Sequence, residues 1–191
     1  MSIFIALLLI GSCGYASAEV GKTLTIALGS EPTDLNPIFN TGHADFFDII
    51  KTYSGLVKSD ENFKMVGDLA KSWEQPDQNT FVFHLRDGVK WQDGKPFTSD
   101  DVKFTYELMK SGKWVSVFPS SSEYDVITAI DTPDASTVKF TLQNPTVPFI
   151  ERFSLPILPK HLLEGVDLTK TEYWQKPIGT GPYTFDHWNK G

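Results

Sequence analysis

The sequence contains a single cysteine among 191 residues, and its longest purely apolar run extends only over residues 3–10. One cysteine excludes an internal disulfide framework. The apolar run is too short to span a bilayer, which takes roughly 20 residues in a helix. Basic residues are also few, since Lys+Arg is 17 against Asp+Glu 24, for a net charge of -7. This balance argues against a nucleic-acid partner and against a polybasic membrane-surface protein.

The motifs of the common catalytic and cofactor sites are missing. The sequence has no G-x-x-x-x-G-K-[ST] phosphate loop, no G-x-S-x-G nucleophile elbow and no H-E-x-x-H zinc motif. Gly179-Thr180-Gly181 lacks the third glycine of a dinucleotide-binding loop. The histidines are widely separated, at His43, His84, His161 and His187. We therefore predict no catalytic residues, no metal site and no cofactor.

The composition is that of an ordinary globular protein, with 40% hydrophobic, 13% aromatic and 21% charged residues. It excludes a disordered chain and a collagen-like repeat. The length fits one large domain, or one domain and part of another. The 5 Trp, 14 Phe and 6 Tyr residues are interpreted mainly as core. An aromatic platform for sugars or peptide side chains is the alternative.

The N-terminus has the pattern of an export signal. Residues 3–10 (IFIALLLI) have the length of the apolar region of a secretory signal, and small residues follow at once. Residues 10–13 resemble a lipobox, in which Cys13 would carry a lipid, whereas residues 16–18 (ASA) fit ordinary cleavage. We therefore predict a signal peptide over residues 1–18 and an exported protein, either periplasmic or lipid-anchored on the outer face of the cytoplasmic membrane.

Strands and helices alternate in the mature chain without a regular βαβ rhythm. Phe81, Phe83 and Leu85 alternate with less apolar residues and predict a strand with one buried face. Thr98, with aspartates two and three residues later, predicts a helix start. Thr98 can cap the free N–H groups of the first turn, and the helix dipole favours the negative charge of the aspartates there. The other predicted elements are strands at 22–28, 123–129, 137–142 and 179–185, helices at 44–53 and 147–163, and turns at 75–79 and 131–134. The fold is expected to be α+β or mixed α/β.

Residues 69–108 read LAKSWEQPDQNTFVFHLRDGVKWQDGKPFTSDDVKFTYEL. This stretch closely resembles the signature of the family 5 extracellular solute-binding proteins, the oligopeptide, dipeptide and nickel receptors of ABC importers. Other matching pieces follow in the expected order, at 24–37 (LTIALGSEPTDLNP), 44–57, 157–162 (ILPKHL) and 177–183 (PIGTGPY). The resemblance covers residues 22–191.

The resemblance implies a bilobed, periplasmic-binding-protein-like fold of type II, cluster C. Residues 19–44 would begin lobe I, residues 45–165 would form an inserted small subdomain, and residues 166–191 would return to lobe I. The second lobe and the rest of the first would lie beyond this sequence, so we expect an N-terminal fragment. Closure of the two lobes on a solute would be a ligand-driven population shift.

The resemblance also implies a ligand cleft and a partner. Two loops would lie near the cleft: Gly29, Ser30 and Glu31 in one, Gly179, Thr180 and Gly181 in the other. Glycine would let backbone groups approach a ligand closely, and Glu31 would offer charge.

The leading hypothesis is a monomeric, non-catalytic receptor that delivers a peptide to ABC permease subunits. A nickel chelate or an oligosaccharide is the alternative ligand. A secreted carbohydrate-binding module or a hydrolase is the alternative of another class.

Overall fold

The computed structural model describes residues 35–37, 52–111, 121–146 and 148–189. The strands are β1 (Val57–Ser59), β2 (Met65–Gly67), β3 (Ala70–Asp77), β4 (Thr80–Leu85), β5 (Ile127–Asp134) and β6 (Thr137–Leu142). The α-helices are α1 (Ser99–Lys110) and α2 (Lys160–Leu163), and 3-10 helices cover Ser121–Tyr124, Phe149–Ser154 and Glu172–Gln175. No helix within these ranges has the length and apolar character needed to cross a membrane. The export signal, Cys13, the predicted strand 22–28 and all but two residues of the predicted helix 44–53 lie outside the described residues.

Four strands form an antiparallel sheet in the order β3-β4-β6-β5. The predicted strand at Phe81 is confirmed as β4, with Phe81, Phe83 and Leu85 buried and with Val82 and His84 half-buried between them. Successive side chains of a strand point to opposite faces, so the three buried residues belong to one core-facing side. Both hairpins of this sheet, β3-β4 and β5-β6, contribute side chains to one buried apolar cluster.

The first predicted hairpin turn contains the observed turn but begins too early, and the second lies wholly within a strand. Residues 75–79 and 131–134 were predicted as turns, but β3 continues to Asp77 and β5 to Asp134. Pro76 and Pro133 lie inside these strands, close to a shift in the pairing register of each. Both strands are at the outer edges of the sheet. Proline is tolerated there because it lacks only an N–H that no neighbouring strand needs.

The turns themselves are short and are closed by aspartate side chains. Asp77 Oδ1 accepts a hydrogen bond from the Asn79 amide at 2.8 Å. Asp134 Oδ1 accepts one from the Ser136 amide, also at 2.8 Å. A side-chain oxygen that bonds the backbone two residues later mimics a backbone turn. The predicted strand 123–129 is also corrected, because it starts only at Ile127 and is preceded by the 3-10 helix Ser121–Tyr124.

Helix α1 begins as predicted, with Thr98 at its N-cap. The Asp101 carboxylate accepts a hydrogen bond from the Thr98 amide at 2.9 Å. Val102, Tyr106 and Met109 follow at helical spacing and are fully buried, so one face of α1 covers the sheet.

An aromatic cluster fills the space between α1 and the sheet, with Phe153 at its centre. The rings around Phe153 are those of Phe83 at 4.6 Å, Phe140 at 4.7 Å, Phe81 at 5.3 Å, Phe149 at 5.3 Å and Tyr106 at 5.7 Å between centroids. Phe153 reaches this position from the 3-10 helix Phe149–Ser154. These distances are typical of favourable ring pairs. The clustered aromatics are core residues, in agreement with the leading interpretation of the aromatic content.

Two further predictions need correction. The predicted helix 147–163 is instead a 3-10 helix followed by an extended stretch and the one-turn helix α2. Pro156 and Pro159 lie in the stretch between them, where proline disfavours a continuous helix. The predicted strand 179–185 is an irregular segment. A strand needs a hydrogen-bonded neighbour, and no strand among the described residues pairs with this segment.

A short hairpin of β1 and β2 precedes the sheet. At its tip, Asp60 Oδ1 accepts hydrogen bonds from the amides of Asn62 at 2.8 Å and Lys64 at 2.9 Å. Phe63 lies between them with φ at 60° and with 91% of its surface exposed. A positive φ is unfavourable for a bulky residue, so the braced tip holds an aromatic ring outward in solvent.

Candidate functional site

Of the two loops predicted to contact a ligand, the structure describes only the second. Gly29, Ser30 and Glu31 lie outside the described residues. Gly179, Thr180 and Gly181 are the first residues of an irregular segment, residues 179–183. The backbone of this segment lies against the backbone at Thr52. The ligand-binding role of both loops stays a prediction.

Gly179 lies unusually close to the backbone of Thr52. A Cβ atom built on Gly179 would stand 1.8 Å from the Thr52 carbonyl oxygen and 2.6 Å from its carbonyl carbon. The Gly181 amide donates a hydrogen bond to the same oxygen at 2.8 Å. Glycine at position 179 therefore permits the close approach of two backbone segments, and this close approach is made within the chain itself.

The other side of segment 179–183 is held by Gln92. The Gln92 side-chain oxygen accepts a hydrogen bond from the Gly179 amide at 3.0 Å. Its side-chain nitrogen donates to the Gly181 carbonyl at 3.1 Å and to the Tyr183 carbonyl at 2.7 Å. The Gln92 backbone amide also donates to the Gly179 carbonyl at 3.0 Å. One residue thus makes four hydrogen bonds to this segment.

Gln92 projects from a tight turn that follows the buried Trp91. The Trp91 amide donates to the Lys95 carbonyl at 2.8 Å, and the Gly94 amide donates to the Trp91 carbonyl at 2.8 Å. Gly94 has a φ of 87°, which glycine adopts without steric cost. No local pattern connects position 92 with position 179, so the contact was not predicted.

A carboxylate–histidine pair fixes the same turn to α2. Asp93 Oδ2 lies 2.7 Å from His161 Nε2, and Asp93 Oδ1 accepts from the Lys95 amide at 3.0 Å. Partial burial acts to raise the pKa of Asp93. The hydrogen bonds from His161 and Lys95 outweigh that effect and hold the pKa below its ordinary value. The ionised carboxylate is therefore the form that the folded protein favours.

A second carboxylate, Asp101, joins three segments beneath the turn. It accepts hydrogen bonds from the Trp91 indole at 3.3 Å, the Lys160 amide at 3.0 Å and the Thr98 amide at 2.9 Å. Burial raises the pKa of Asp101 even though these bonds favour its charged form. Its position connects the start of α1, the Trp91 turn and the start of α2, so the base of the turn is fixed on three sides.

We expect the Asp93 carboxylate to stabilise the fold at neutral pH and to lose this effect in acid. Its folded-state pKa lies below the ordinary value of 3.8. Its contribution to the free energy of unfolding is therefore complete above that value and disappears as the pH falls through the folded-state pKa. Denaturant unfolding of the wild type and of Asp93→Asn is measured from about pH 6 to about pH 2.5. The free energies of unfolding of the two proteins should differ at the higher pH and converge below about pH 4.

The matched control for this prediction is Asp87→Asn. Asp87 is an exposed carboxylate that pairs with Lys71 at the surface, and such pairs contribute little to stability. The free energy of unfolding of Asp87→Asn should therefore stay close to that of the wild type at every pH. Curves for Asp93→Asn that run parallel to the wild-type curve throughout would contradict the stabilising role of the pair.

In segment 179–183, the hydroxyl oxygen Thr180 Oγ1 is buried and makes no hydrogen bond to any of the residues that the structure describes. An unpaired buried hydroxyl is uncommon in folded proteins and costs about 1–3 kcal/mol.

A groove of about 830 Å³ borders the segment and has the size of a small-molecule site. Among the described residues, its wall includes apolar side chains, the acidic residues Asp60, Asp68 and Glu151, and Lys58, which pairs with Asp68 at 3.0 Å. The apolar members of the wall are Tyr53, Val57, Phe63, Met65, Pro156 and Pro182.

The described histidines do not assemble a metal centre. His84 lies 3.2 Å from Glu74, and His187 lies 2.8 Å from its neighbour Asp186, both at the surface. Over the described parts of the chain, no group of three or more His, Cys, Asp or Glu side chains is arranged to hold a metal ion. Each of these imidazoles has a single carboxylate partner, which is an ordinary surface arrangement.

Comparison with known sequences identifies the family of this chain. Residues 64–191 match the model of the bacterial extracellular solute-binding proteins, family 5 middle region. A putative ABC transporter peptide-binding protein of Brucella ovis is 36% identical over 178 residues, which are 90% of this chain and 33% of that protein. The oligopeptide-binding protein AppA of Bacillus subtilis is 33% identical over 180 residues, 91% of this chain and 33% of AppA. The chain spans about a third of the length of these relatives.

Solved structures have the same fold. NikZ from Campylobacter jejuni, in complex with Ni(L-His), is 39% identical with a TM-score of 0.76, over 84% of this chain and 32% of NikZ. AppA from Bacillus subtilis, in complex with a nonapeptide, is 32% identical with a TM-score of 0.77, over 85% of this chain and 33% of AppA. The expected mixed α/β, periplasmic-binding-protein-like fold is confirmed. The chain belongs to the bacterial extracellular solute-binding proteins of family 5.

Proposed function

We propose that this protein is the substrate-binding component of an ABC importer and that its solute is a peptide. The observation that carries the proposal is the 36% identity, over 90% of this chain, to a putative ABC transporter peptide-binding protein. The structure of AppA with a nonapeptide, at a TM-score of 0.77, supports the same class of ligand. Family 5 consists of solute-binding receptors, and we infer that this member captures and releases its solute without chemical change.

The local geometry supports a contact with the solute at Thr180, because the N–H and C=O groups of Gly179 and Gly181 on either side already bond Thr52 and Gln92. An extended peptide is recognised largely by hydrogen bonds to its main chain, which need protein groups held in fixed positions. Thr52 and Gln92 hold the segment from opposite sides, and the Thr180 hydroxyl, which has no hydrogen-bond partner among the described residues, lies within it. The described wall of the groove beside it carries Asp60, Asp68 and Glu151, and Lys58 is paired with Asp68 at 3.0 Å, so the acidic excess suits a ligand that bears a positively charged terminus.

Location and partners follow from this proposal. The signal pattern over residues 1–18 would export the protein, and a lipid on Cys13 would hold it at the outer face of the cytoplasmic membrane. It would act as a monomer that delivers its solute to the permease subunits. Residues 19–44 and 166–191 would belong to the first lobe, and residues 45–165 would form the inserted subdomain. The loop of Gly29, Ser30 and Glu31 would complete the contact from lobe I.

A nickel chelate is the second candidate ligand. It is favoured by the 39% identity to NikZ, whose structure contains Ni(L-His). A chelate brings its own donor groups and so does not require a cluster of metal ligands in the protein. A peptide is preferred because curated relatives that cover 90% and 91% of this chain are a putative peptide-binding protein and an oligopeptide-binding protein.

The test is to identify what the protein binds in its own host. We expect protein captured with an antibody to residues 69–108 to release peptides of two or more residues on denaturation, as detected by mass spectrometry. Stripped protein should then rebind peptides from a tryptic digest of casein. The intact mass measured on the same sample reports a diacylglycerol group if Cys13 carries one.

Each outcome of that test is distinct. Nickel and histidine released in equal amounts, with no peptide, would replace the peptide with the chelate. A sample that releases no solute and retains neither peptides nor Ni(L-His) would contradict the receptor function. The control is the antibody matrix loaded with extract from a host that lacks the gene.

A further inference from the structure

We propose that Gln92 is a positioning residue for solute binding, because its side chain sets the conformation of segment 179–183 that faces the solute. The inference rests on the proposed function and deepens it, since it names a residue that acts on binding through another part of the chain. Gln92 belongs to the signature region by which the family is recognised, where its neighbours Trp91, Asp93 and Gly94 build a turn.

Glutamine is chemically suited to this task. A primary amide carries one oxygen that accepts and one nitrogen that donates two hydrogen bonds. Gln92 uses both atoms, since its oxygen receives the Gly179 amide and its nitrogen reaches the carbonyls of Gly181 and Tyr183. Glutamate would place a second acceptor against these two carbonyls, and an apolar side chain of equal length would leave all three groups unpaired. The segment therefore requires an acceptor and a donor on the same side chain.

The position of Gln92 is fixed independently of the segment that it holds. Trp91 is buried, and its indole donates to Asp101. Asp93 is joined to His161 at 2.7 Å. The turn thus presents Gln92 from a rigid base, and the segment is confined between that base and the Thr52 carbonyl on the other side.

Such a clamp affects binding through preorganisation. A solute that needs one conformation of the segment binds with an apparent Kd equal to the intrinsic Kd divided by the fraction of protein in that conformation. The clamp keeps this fraction close to one. Loss of three side-chain hydrogen bonds would let the segment leave that conformation. If the fraction of protein in the binding conformation falls to about one tenth, the apparent affinity falls roughly tenfold, which is the effect that we expect.

The variants that test this are Gln92→Met and Gln143→Met, introduced at the chromosomal gene and purified from the host. Methionine is close to glutamine in length but has neither a donor nor a strong acceptor. Gln143 is exposed, and only its backbone forms hydrogen bonds among the described residues, so it controls for the substitution itself.

Two quantities are measured. The first is hydrogen exchange at single-amide resolution without solute. In Gln92→Met the Gly179 amide should exchange at least roughly tenfold faster, because its acceptor is gone. The Leu56 amide, which bonds the Phe153 carbonyl at 2.9 Å, should keep its rate. The second quantity is the concentration of casein digest that half-saturates the protein, well below the melting temperature, which should rise roughly tenfold for Gln92→Met and stay unchanged for Gln143→Met.

The two measurements separate positioning from mere stability. A purely structural role would lower the melting temperature but leave the half-saturating concentration of the folded protein unchanged, and that result would overturn the proposal. Unchanged exchange at Gly179 would overturn it as well. Wild-type protein that retains no peptide would overturn the proposed function and this inference with it. If the wild type binds peptide and Gln92→Met binds it equally well, only the inference about Gln92 is overturned.

Discussion

Replacing Phe153 with alanine is expected to lower the free energy of unfolding by about 3–5 kcal/mol, the range measured when a buried phenylalanine is truncated. Phe153 is fully buried, and five aromatic rings of the described residues lie within 6 Å of its own. The neighbours come from two strands, a helix and a 3-10 helix, so they cannot all move into the space that the ring leaves. The cost therefore includes a residual cavity as well as lost apolar transfer.

Chemical denaturation at neutral pH, or the melting temperature, measures this effect. The matched control is Phe63→Ala, which removes the same atoms from a ring that is 91% exposed and should change stability by less than about 0.5 kcal/mol. Similar losses for the two variants would show that Phe153 does not centre the core. The comparison also tests the aromatic cluster as core rather than as a platform for sugars.

Replacing Gly179 with alanine is expected both to destabilise the protein and to weaken solute binding. The new Cβ would stand 1.8 Å from the Thr52 carbonyl oxygen, and neither backbone can yield without breaking hydrogen bonds of segment 179–183. Loss of two to four of these bonds costs about 2–4 kcal/mol. We expect the half-saturating concentration of casein digest to rise at least roughly tenfold, because the displaced segment no longer holds Thr180 in the binding conformation.

Gly165→Ala is the control for this variant. Gly165 has a φ of 75°, and a Cβ built there meets nothing within 4 Å. Alanine at position 165 should therefore cost roughly 1–2 kcal/mol for its left-handed backbone and leave solute affinity unchanged. The stability of both variants is followed by thermal unfolding. Normal solute affinity in Gly179→Ala would show that segment 179–183 is not part of the binding site. Loss of affinity in Gly165→Ala would show that the effect of alanine is not specific to this segment.

The elements that sequence analysis predicted correctly have local determinants. Strand β4 follows from the alternation of Phe81, Phe83 and Leu85, and helix α1 from Thr98 and the aspartates after it. The period of a strand and the capping of a helix are properties of neighbouring residues. The resemblance of residues 69–108 to a family signature was likewise sufficient to name the family, which the match over residues 64–191 bears out.

The errors arose where a local signal depends on the position of a strand in the sheet. Pro76 and Pro133 were interpreted as turn residues because proline fixes φ and lacks an amide proton. The sheet places both in edge strands, where these properties are harmless. The segment after Gly179 was predicted as a strand from its composition, but a strand forms only where a neighbouring strand can pair with it. In both cases the deciding partner lies far along the chain.

The sequence by itself determined the start of α1 and the buried face of β4, because each rests on the spacing of residues within a short stretch. The resemblance of residues 69–108 to a known signature identified the family and, with it, the fold. Only the tertiary structure decided that Gly179 lies against Thr52 and that Gln92 holds segment 179–183 from the opposite side. Gln92 and Gly179 are 87 positions apart, and each alone has an ordinary local interpretation, as a turn residue or a loop glycine. A hydrogen bond between distant residues depends on the packing of everything between them, and no local pattern encodes that packing.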